Sequence, residues 1–331
     1  MRHGDATGLH FARRGLLTTA LCAVAAPALA QAFPARPIRL VVSFPAGGSG
    51  DAVGRVAATG LAQALGQSVI VDNRAGAGGN VAGEFAARAP ADGYTLLVAG
   101  QALLAINRAL YPRLSFDPAE DFAFVGMIAS YRNVLVANRA ATQADRVAEL
   151  LERGCRQPGG ITFGSNGVGS LSHLVAQVMA STAGADFLHV PYRGAAPLMT
   201  DLLAGRIGFS FTGAPTALPI LGDPRLKPLA VTGIGRLAQL PDVPTMVEPG
   251  FPDLDAPVWF SVVAPAATPP AVLARLREGF ASAATTPTWR ASLETQSAEP
   301  GTLTPEEAPR FLERERQTWA RAVRASGATA E

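Results

Sequence analysis

Lysine is almost missing from this chain, since of its 28 basic residues only Lys227 is not an arginine. That lysine stands in a Pro-flanked stretch far from any Gly-rich loop, and no GxxxxGK[ST] string exists, so a phosphate-cradling P-loop is excluded. Schiff-base chemistry would have to rest on the same single residue. The arginine bias is read as codon composition. Cysteine is equally scarce. Cys22 falls in an N-terminal apolar stretch that is expected to be removed, which leaves Cys155 alone and no intramolecular disulfide to form. Cys155 itself reads as the end of a helix running into a turn. Histidine clusters, HxxxH and CxxC are all absent, so no metal site and no cofactor is expected. The +2 net charge is carried by residues 1–30, where Arg2, Arg13 and Arg14 outnumber Asp5; the remainder is neutral. Without a basic stripe, no nucleic-acid partner is expected.

What the chain does have is 48% hydrophobic residues with 16% charged over 331 positions, enough for two lobes with real cores. Arg13 and Arg14 precede an apolar run ending in Ala28-Leu29-Ala30, the small-x-small pattern of a signal peptide cleaved after Ala30. The general secretory route ranks ahead of a twin-arginine route. The mature protein is expected to begin near Gln31 and to be soluble outside the cytoplasm. No other run is long enough to span a membrane.

From Ile38 onward, short β-branched runs alternate with helical patterns, the signature of βαβ units on a mainly parallel sheet. Strands are expected at Ile38–Phe44, Gln67–Asn73, Gly93–Gly100, within 122–138, and at Ile161–Gly164, Phe187–Tyr192, Arg206–Phe211, Leu226–Thr232 and Val258–Pro265. Helices are expected from Asp51, over Asn80–Ala89, Gln143–Arg153 and Leu171–Ala183, up to Ala204, and over Pro270–Ala284 and Pro305–Ser326. Residues 31–132 and 258–331 then form one lobe and residues 133–257 the other.

Four strand-to-helix junctions stand out: Phe44–Asp51, Arg74–Asn80, Gly164–His173 and Val190–Pro197. In open α/β sheets ligands bind at that edge, where free helix amides favour an anion. Two such junctions in each lobe would hold a small carboxylate through main-chain donors. Enzyme readings fare worse. The glycines at 164–169 do not match GxGxxG, so a nicotinamide site is not expected. Neither Ser165 nor Ser170 lies in a GxSxG elbow. His173 reads as capping or packing, and His189, alternating with Leu188 and Val190, as structural. A secreted hydrolase would require a Ser or Cys within hydrogen-bond reach of one of these imidazoles.

The strings PARPIRLVVSFPAGGSGD, NRAGAGGN, APADGYTLL, GSNGVGSLSH, VPYRG, TDLLAGRI and LPDVPTMVEPGFP occur in that order. In this combination the chain resembles the extracytoplasmic receptors of tripartite tricarboxylate transporters, the Bug receptor family, over Phe33 to about Arg321. The resemblance implies an α/β fold of the type II periplasmic binding protein kind: two α/β lobes joined by crossing strands, closing on an anionic ligand. It also implies a periplasmic location, docking onto a two-component membrane transporter, and a monomer. Carried over position by position, it assigns ligand contacts to Pro45, Ala46, Gly47, Gly48, Ser49, Asp51, Gly78, Gly79, Asn80, Ser165, Asn166, Gly167, Ser170, His173, Tyr192 and Arg193. Arg193 is the expected charged contact, with an ion pair to Asp201 as its competing role.

Two departures bear on the ligand. Where relatives carry small hydroxyl residues, this chain has Gln101 to Leu104, and Thr212, Gly213 and Ala214 replace a polar turn. Lost hydroxyls remove hydrogen bonds to a second polar end, so a ligand with one carboxylate and an apolar or aromatic remainder is expected. Gln101, Thr212 and Gly213 join the candidate contacts, as does Tyr131, whose ring could stack on such a ligand. A receptor that signals to a membrane kinase instead of feeding a transporter fits the same sequence.

Overall fold

The computed structural model describes residues 33–330 apart from 234 and 255; the expected signal peptide, its cleavage after Ala30 and Cys22 lie outside the described residues. Strand β1 (Ile38–Val42) leads into α1 (Ser49–Leu65), β2 (Val69–Asn73), α2 (Asn80–Ala87) and β3 (Thr95–Gly100). A π-helical turn, Ala102–Ile106, runs into the short α3 (Asn107–Leu110), and β4 (Phe122–Tyr131) follows. The second unit opens with β5 (Asn133–Asn138), α4 (Arg139–Thr142), α5 (Val147–Arg156), β6 (Thr162–Ser165) and α6 (Leu171–Ala183). It continues through β7 (Leu188–Pro191), α7 (Ala195–Leu203), β8 (Phe209–Gly213), α8 (Ala214–Ala217) and β9 (Leu226–Val231). The chain returns through β10 (Val258–Pro265) to α9 (Pro270–Ala284), α10 (Pro287–Glu294), β11 (Glu299–Pro300) and α11 (Ala308–Ser326).

Two sheets result, in orders β11-β4-β10-β3-β1-β2 and β7-β6-β8-β5-β9. The expectation of a mainly parallel arrangement needs correction. β2, β1 and β3 are parallel, as are β7, β6 and β8, but β10, β4 and β11, and also β5 and β9, pair antiparallel. The strands by which the chain enters a sheet from the other, β5 and β10, are the ones reversed against its parallel strands, whereas β4 and β9, antiparallel to those, run with the βαβ repeat. β4 and β5 are separated by Arg132 alone, so one extended segment serves both sheets.

Helix boundaries shift for local reasons. α1 begins at Ser49, two residues before Asp51, and stops at Gly66, whose φ of 68° lets its amide close on Ala62 O. The helix expected at Gln143–Arg153 is α5 and starts only at Val147, because Gln143 turns left-handed at the end of α4, a short preceding helix capped by the Asn138 side chain. α1 lies close to α10 because position 60 is glycine; a Cβ there would sit 2.7 Å from the Trp289 ring.

The cores show what joins the lobes. One cluster, with Leu40, Val98, Phe260, Phe280 and Trp289, belongs to the α1 and α9 face of the first sheet. Another, with Val134, Leu202 and Val231, backs the second. The largest is continuous across both sheets: Val41 and Leu97 of the first, Phe163 and Phe209 of the second, with the π-turn, α6 and α11 between them. Trp319, Val323 and Leu312 of α11 belong to it, each nearly or fully buried. A fully buried large apolar side chain contributes about 1.5–3 kcal/mol, so α11 and α6 are a packed joint between the sheets. Among the described residues, no helix is long and apolar enough to cross a membrane.

Candidate functional site

Every junction singled out in the sequence sits at the C-terminal end of a strand. At the first, the buried Asp51 carboxylate accepts from Gly47 N (2.9 Å), Arg55 Nε (2.9 Å) and Asn73 Nδ2 (2.8 Å). Burial works to raise its pKa, but the bonds from Arg55, Gly47 and Asn73 outweigh it and hold the carboxyl below the usual range. Asp51 therefore orders the loop from within. Pro45, Ala46 and Gly47 are exposed, with Gly48 and Ser49 half-buried. α1 begins at Gly48 with no side-chain cap, and the amides of Ser49, Gly50 and Asp51 make no hydrogen bond among the described residues. Three donors at the positive end of a 17-residue helix are thus left without a partner among the described residues.

At the second junction, Gly78 and Gly79 take left-handed φ of 64° and 97°. Asn107, buried at the end of the π-turn, donates to Gly78 O (3.0 Å) and to Asn80 Oδ1 (2.6 Å). The Asn80 side chain is thus tied to α3. Gln101 donates from Nε2 to Glu315 Oε2 at 2.6 Å, the oxygen that also accepts from the indoles of Trp259 (2.8 Å) and Trp319 (3.2 Å). This orients the Gln101 amide and leaves its Oε1 buried with no partner among the described residues. Leu103 and Leu104 pack into the core, so the π-turn offers no hydroxyl.

The third junction uses its own amides. Asn166 N donates to Ser172 Oγ (3.1 Å), Gly167 N to Ser165 Oγ (3.1 Å), Gly169 N to His173 Nδ1 (3.1 Å) and Ser170 N to Gly167 O (3.2 Å). The Ser170 hydroxyl donates to Gly167 O (2.7 Å) and also caps α6 by accepting from His173 N. The amides of Val168, Leu171 and Ser172 stay free among the described residues. Ser165 Oγ lies 2.6 Å from His189 Nε2, and the rings of His189 and His173 stack with centroids 3.9 Å apart. Burial, then the neighbouring His189 charge, lowers the His173 pKa to about 4; burial also lowers that of His189.

A serine does, then, lie within reach of an imidazole, the condition set for a hydrolase, although His189 sits in β7 as expected. The pair is poorly placed for acyl transfer. Ser165 is completely buried, its oxygen is already bonded to both N–H and C=O of Gly167, and no carboxylate orients His189 among the described residues.

At the fourth junction α7 starts at Gly194 without a side-chain cap, and the amides of Arg193 to Ala196 are free among the described residues. Asp201 pairs with Arg206 (2.7 Å) and accepts from Tyr192 OH (2.8 Å). The Tyr192 hydroxyl is pushed up to about 12 by burial and then by Asp201. The competing role for Arg193 is thus filled by Arg206, and Arg193 is exposed with no ion pair among the described residues.

Tyr131 and Leu110 bring the junctions of the two sheets together. Tyr131, at the end of β4, meets Ser49 Oγ through its hydroxyl (3.2 Å) and packs on Phe260; burial raises its pKa against the Ser49 bond. A Cβ at Gly213, on the other sheet, would lie 2.6 Å from its ring. Thr212 next door is buried and reaches Ser210 within β8. Leu110 of α3 fills the space beside Gly169, where a Cβ would lie 2.0 Å from its methyl. Among the described residues no His, Cys, Asp and Glu cluster could hold a metal ion.

This geometry has relatives. The family model for the tripartite tricarboxylate transporter family receptor matches residues 53–328. The chain belongs to that receptor family. BugT of Bordetella pertussis is 36% identical over 310 residues, covering 93% of this chain and 95% of BugT. An R. palustris protein solved with adipate has a TM-score of 0.80 at 33% identity, covering 90% of the receptor and 99% of that chain. MatC from Rhodopseudomonas palustris, solved with bound malate, has a TM-score of 0.77 at 26% identity, covering 88% and 100%. The family is periplasmic, and its fold has the two lobes of periplasmic binding proteins.

Sequence reasoning overlooked three residues of this receptor that shape its loops: Asn107, Asn73 and Ser172. Each is a single polar residue whose partner is 6 to 29 positions away. No local spacing marks such a contact.

Proposed function

We propose that this receptor captures a small carboxylate between a lobe of residues 31–132 with 258–331 and a lobe of residues 133–257, and delivers it to a tripartite tricarboxylate-type membrane transporter from the periplasm, as a monomer and without chemistry of its own. One observation carries the reading. α1 and α7, one in each lobe, begin at glycines with uncapped first-turn amides at the strand ends where α/β folds bind ligands. A carboxylate bridging them touches both lobes only when these are closed, so the ligand selects the closed state. Exposed Arg193, next to the start of α7, supplies the charge.

The ligand carries one carboxylate and an apolar or aromatic remainder. The π-turn, whose Leu103 and Leu104 are turned into the core and leave no hydroxyl, and the Tyr131 ring against Phe260 and Gly213 support this, because a second anionic end would need donors that they do not supply. The solved relatives hold adipate and malate, so dicarboxylates are the direct competitors. Thermal-shift screening of residues 31–331 against benzoate, phenylacetate, hexanoate, adipate, malate and citrate tests the proposal, since a ligand of the native state raises the apparent stability. A rise for the monocarboxylates is expected. A rise for citrate or malate alone overturns the ligand class, and none for any acid overturns the carboxylate reading. In Arg193→Ala the affinity for the responding acid drops about tenfold at unchanged Tm, as for loss of one charge-assisted hydrogen bond.

A further inference from the structure

His173 and His189 are the two histidines of the described chain, and they lie face to face, 14° from parallel, with Phe163 stacked 4.8 Å from His189 and 6.1 Å from His173. Each holds a different part of the Gly164–Ser170 loop. The Gly169 amide donates to His173 Nδ1. An N–H needs a lone pair to point at, so Nδ1 is unprotonated and the ring proton sits on Nε2. A cationic His173 would set two N–H groups against each other. His189 Nε2 meets Ser165 Oγ, which accepts from Gly167 N and donates to Gly167 O at 3.0 Å. With Nε2 as the donor, the hydroxyl has its one proton and both lone pairs in use.

We propose that His173 and His189 are positioning residues of this loop: His173 acting through the Gly169 amide and His189 through Ser165, they hold the free amides of Val168, Leu171 and Ser172 in the arrangement a ligand carboxylate meets, and they do so only while His173 is neutral. The role toward the ligand rests on the receptor function proposed above; the control of the loop does not. The titratable group that faces His173 is His189, from β7. Phe163 from β6, Ser165 and Ser170 from the loop and α6 start, and Leu110 of α3 against Gly169 carry no charge. Burial of both rings and their mutual repulsion act in the same direction as the Gly169 bond.

Nitrogen-15 NMR of the unliganded mature protein from pH 8 to pH 4 tests this. The His173 ring is expected to show the Nε2–H tautomer, and the Gly169, Val168, Leu171 and Ser172 amide shifts to move with the His173 titration while those of Ser49 to Asp51 stay still. Ser165→Ala and His189→Leu are expected to speed hydrogen exchange at Gly167 about tenfold, the loss of about one hydrogen bond, and His189→Gln, which keeps a donor, to restore it. An Nδ1–H tautomer, a His173 titration that leaves the loop amides unmoved, or unchanged exchange in both variants would overturn the proposal. Adding sodium benzoate and then adipate separates the two readings. Moving loop amides with no response to either acid keep the positioning role and count against the carboxylate receptor. A response to an acid with loop amides indifferent to His173 does the reverse.

Discussion

The first and third junctions look alike in sequence, FPAGGSGD and GSNGVGSLSH, each a glycine-rich turn with serines before a helix, yet they are built in opposite ways. In the first, an ionised group inside the loop, Asp51, gathers Gly47, Arg55 and Asn73 and leaves the helix amides free. In the third, uncharged groups, two hydroxyls and an imidazole, take up the loop amides and Ser170 caps the helix. The glycine-rich pattern thus specifies a backbone that can turn tightly. It does not say which donors remain for a ligand.

If the two loops differ in this way, acid separates them, and the largest effect falls on the second lobe. A neutral His173 has a pKa depressed from 6.5 to about 4, so its contribution is complete above pH 6.5 and lost as pH falls from 6.5 towards about 4. Over that span about 3 kcal/mol of unfolding free energy should disappear, measured by urea unfolding at fixed pH steps. Asp51, whose pKa is lowered from 3.8, contributes fully above that value and fails only as pH falls below it. Loop 1 amides should accordingly keep their protection at pH 5. A pH-independent stability between 7 and 5 would remove the distinction.

Gly169→Ala strikes the contact between the lobes, because position 169 has φ of 73° and its new methyl would meet Leu110. A loss of about 2–3 kcal/mol is expected in urea unfolding, from strain plus overpacking. Asp51→Ala leaves Gly47 N and Asn73 Nδ2 without their carboxylate, at a cost of about 2 kcal/mol. In that variant the loop 1 amides should exchange faster while loop 3 is unchanged; equal loosening of both would show the loops to be one unit. Ser49→Ala is the mildest. It removes one hydroxyl contact to Tyr131 and should cost about 0.5–1 kcal/mol by the same unfolding measurement.

Much of the fold was readable along the chain. The alternation from Ile38 onward marks the strands, because a strand buried on both faces reads as a β-branched run. α10, α4, β11 and the π-turn were not readable. They are short, and the packing of Trp289 on Gly60 and Phe280, the Asn138 cap, the pairing with Ser130 and the Arg316 bond to Leu104 O stabilise them more than their own periodicity does. At the site, the strand-end position of the junctions could be read, but the roles inside them could not. Asp51, Asn80, Gln101 and Ser165 are polar residues in the right loops whose side chains bond to other parts of the protein.

By itself the sequence determined the alternation of strands and helices and the four turns that end strands with glycine, since these follow from local periodicity and from residue types required at particular φ values, while the family was legible only as a resemblance of its motifs. Only the tertiary structure decided which amides stay free, which acid Arg206 rather than Arg193 engages, and that His189 meets Ser165 while stacking on His173. Those outcomes depend on partners brought together across separate strands and helices. A hydrogen bond is directional over a few tenths of an ångström, and no spacing along the chain encodes that precision.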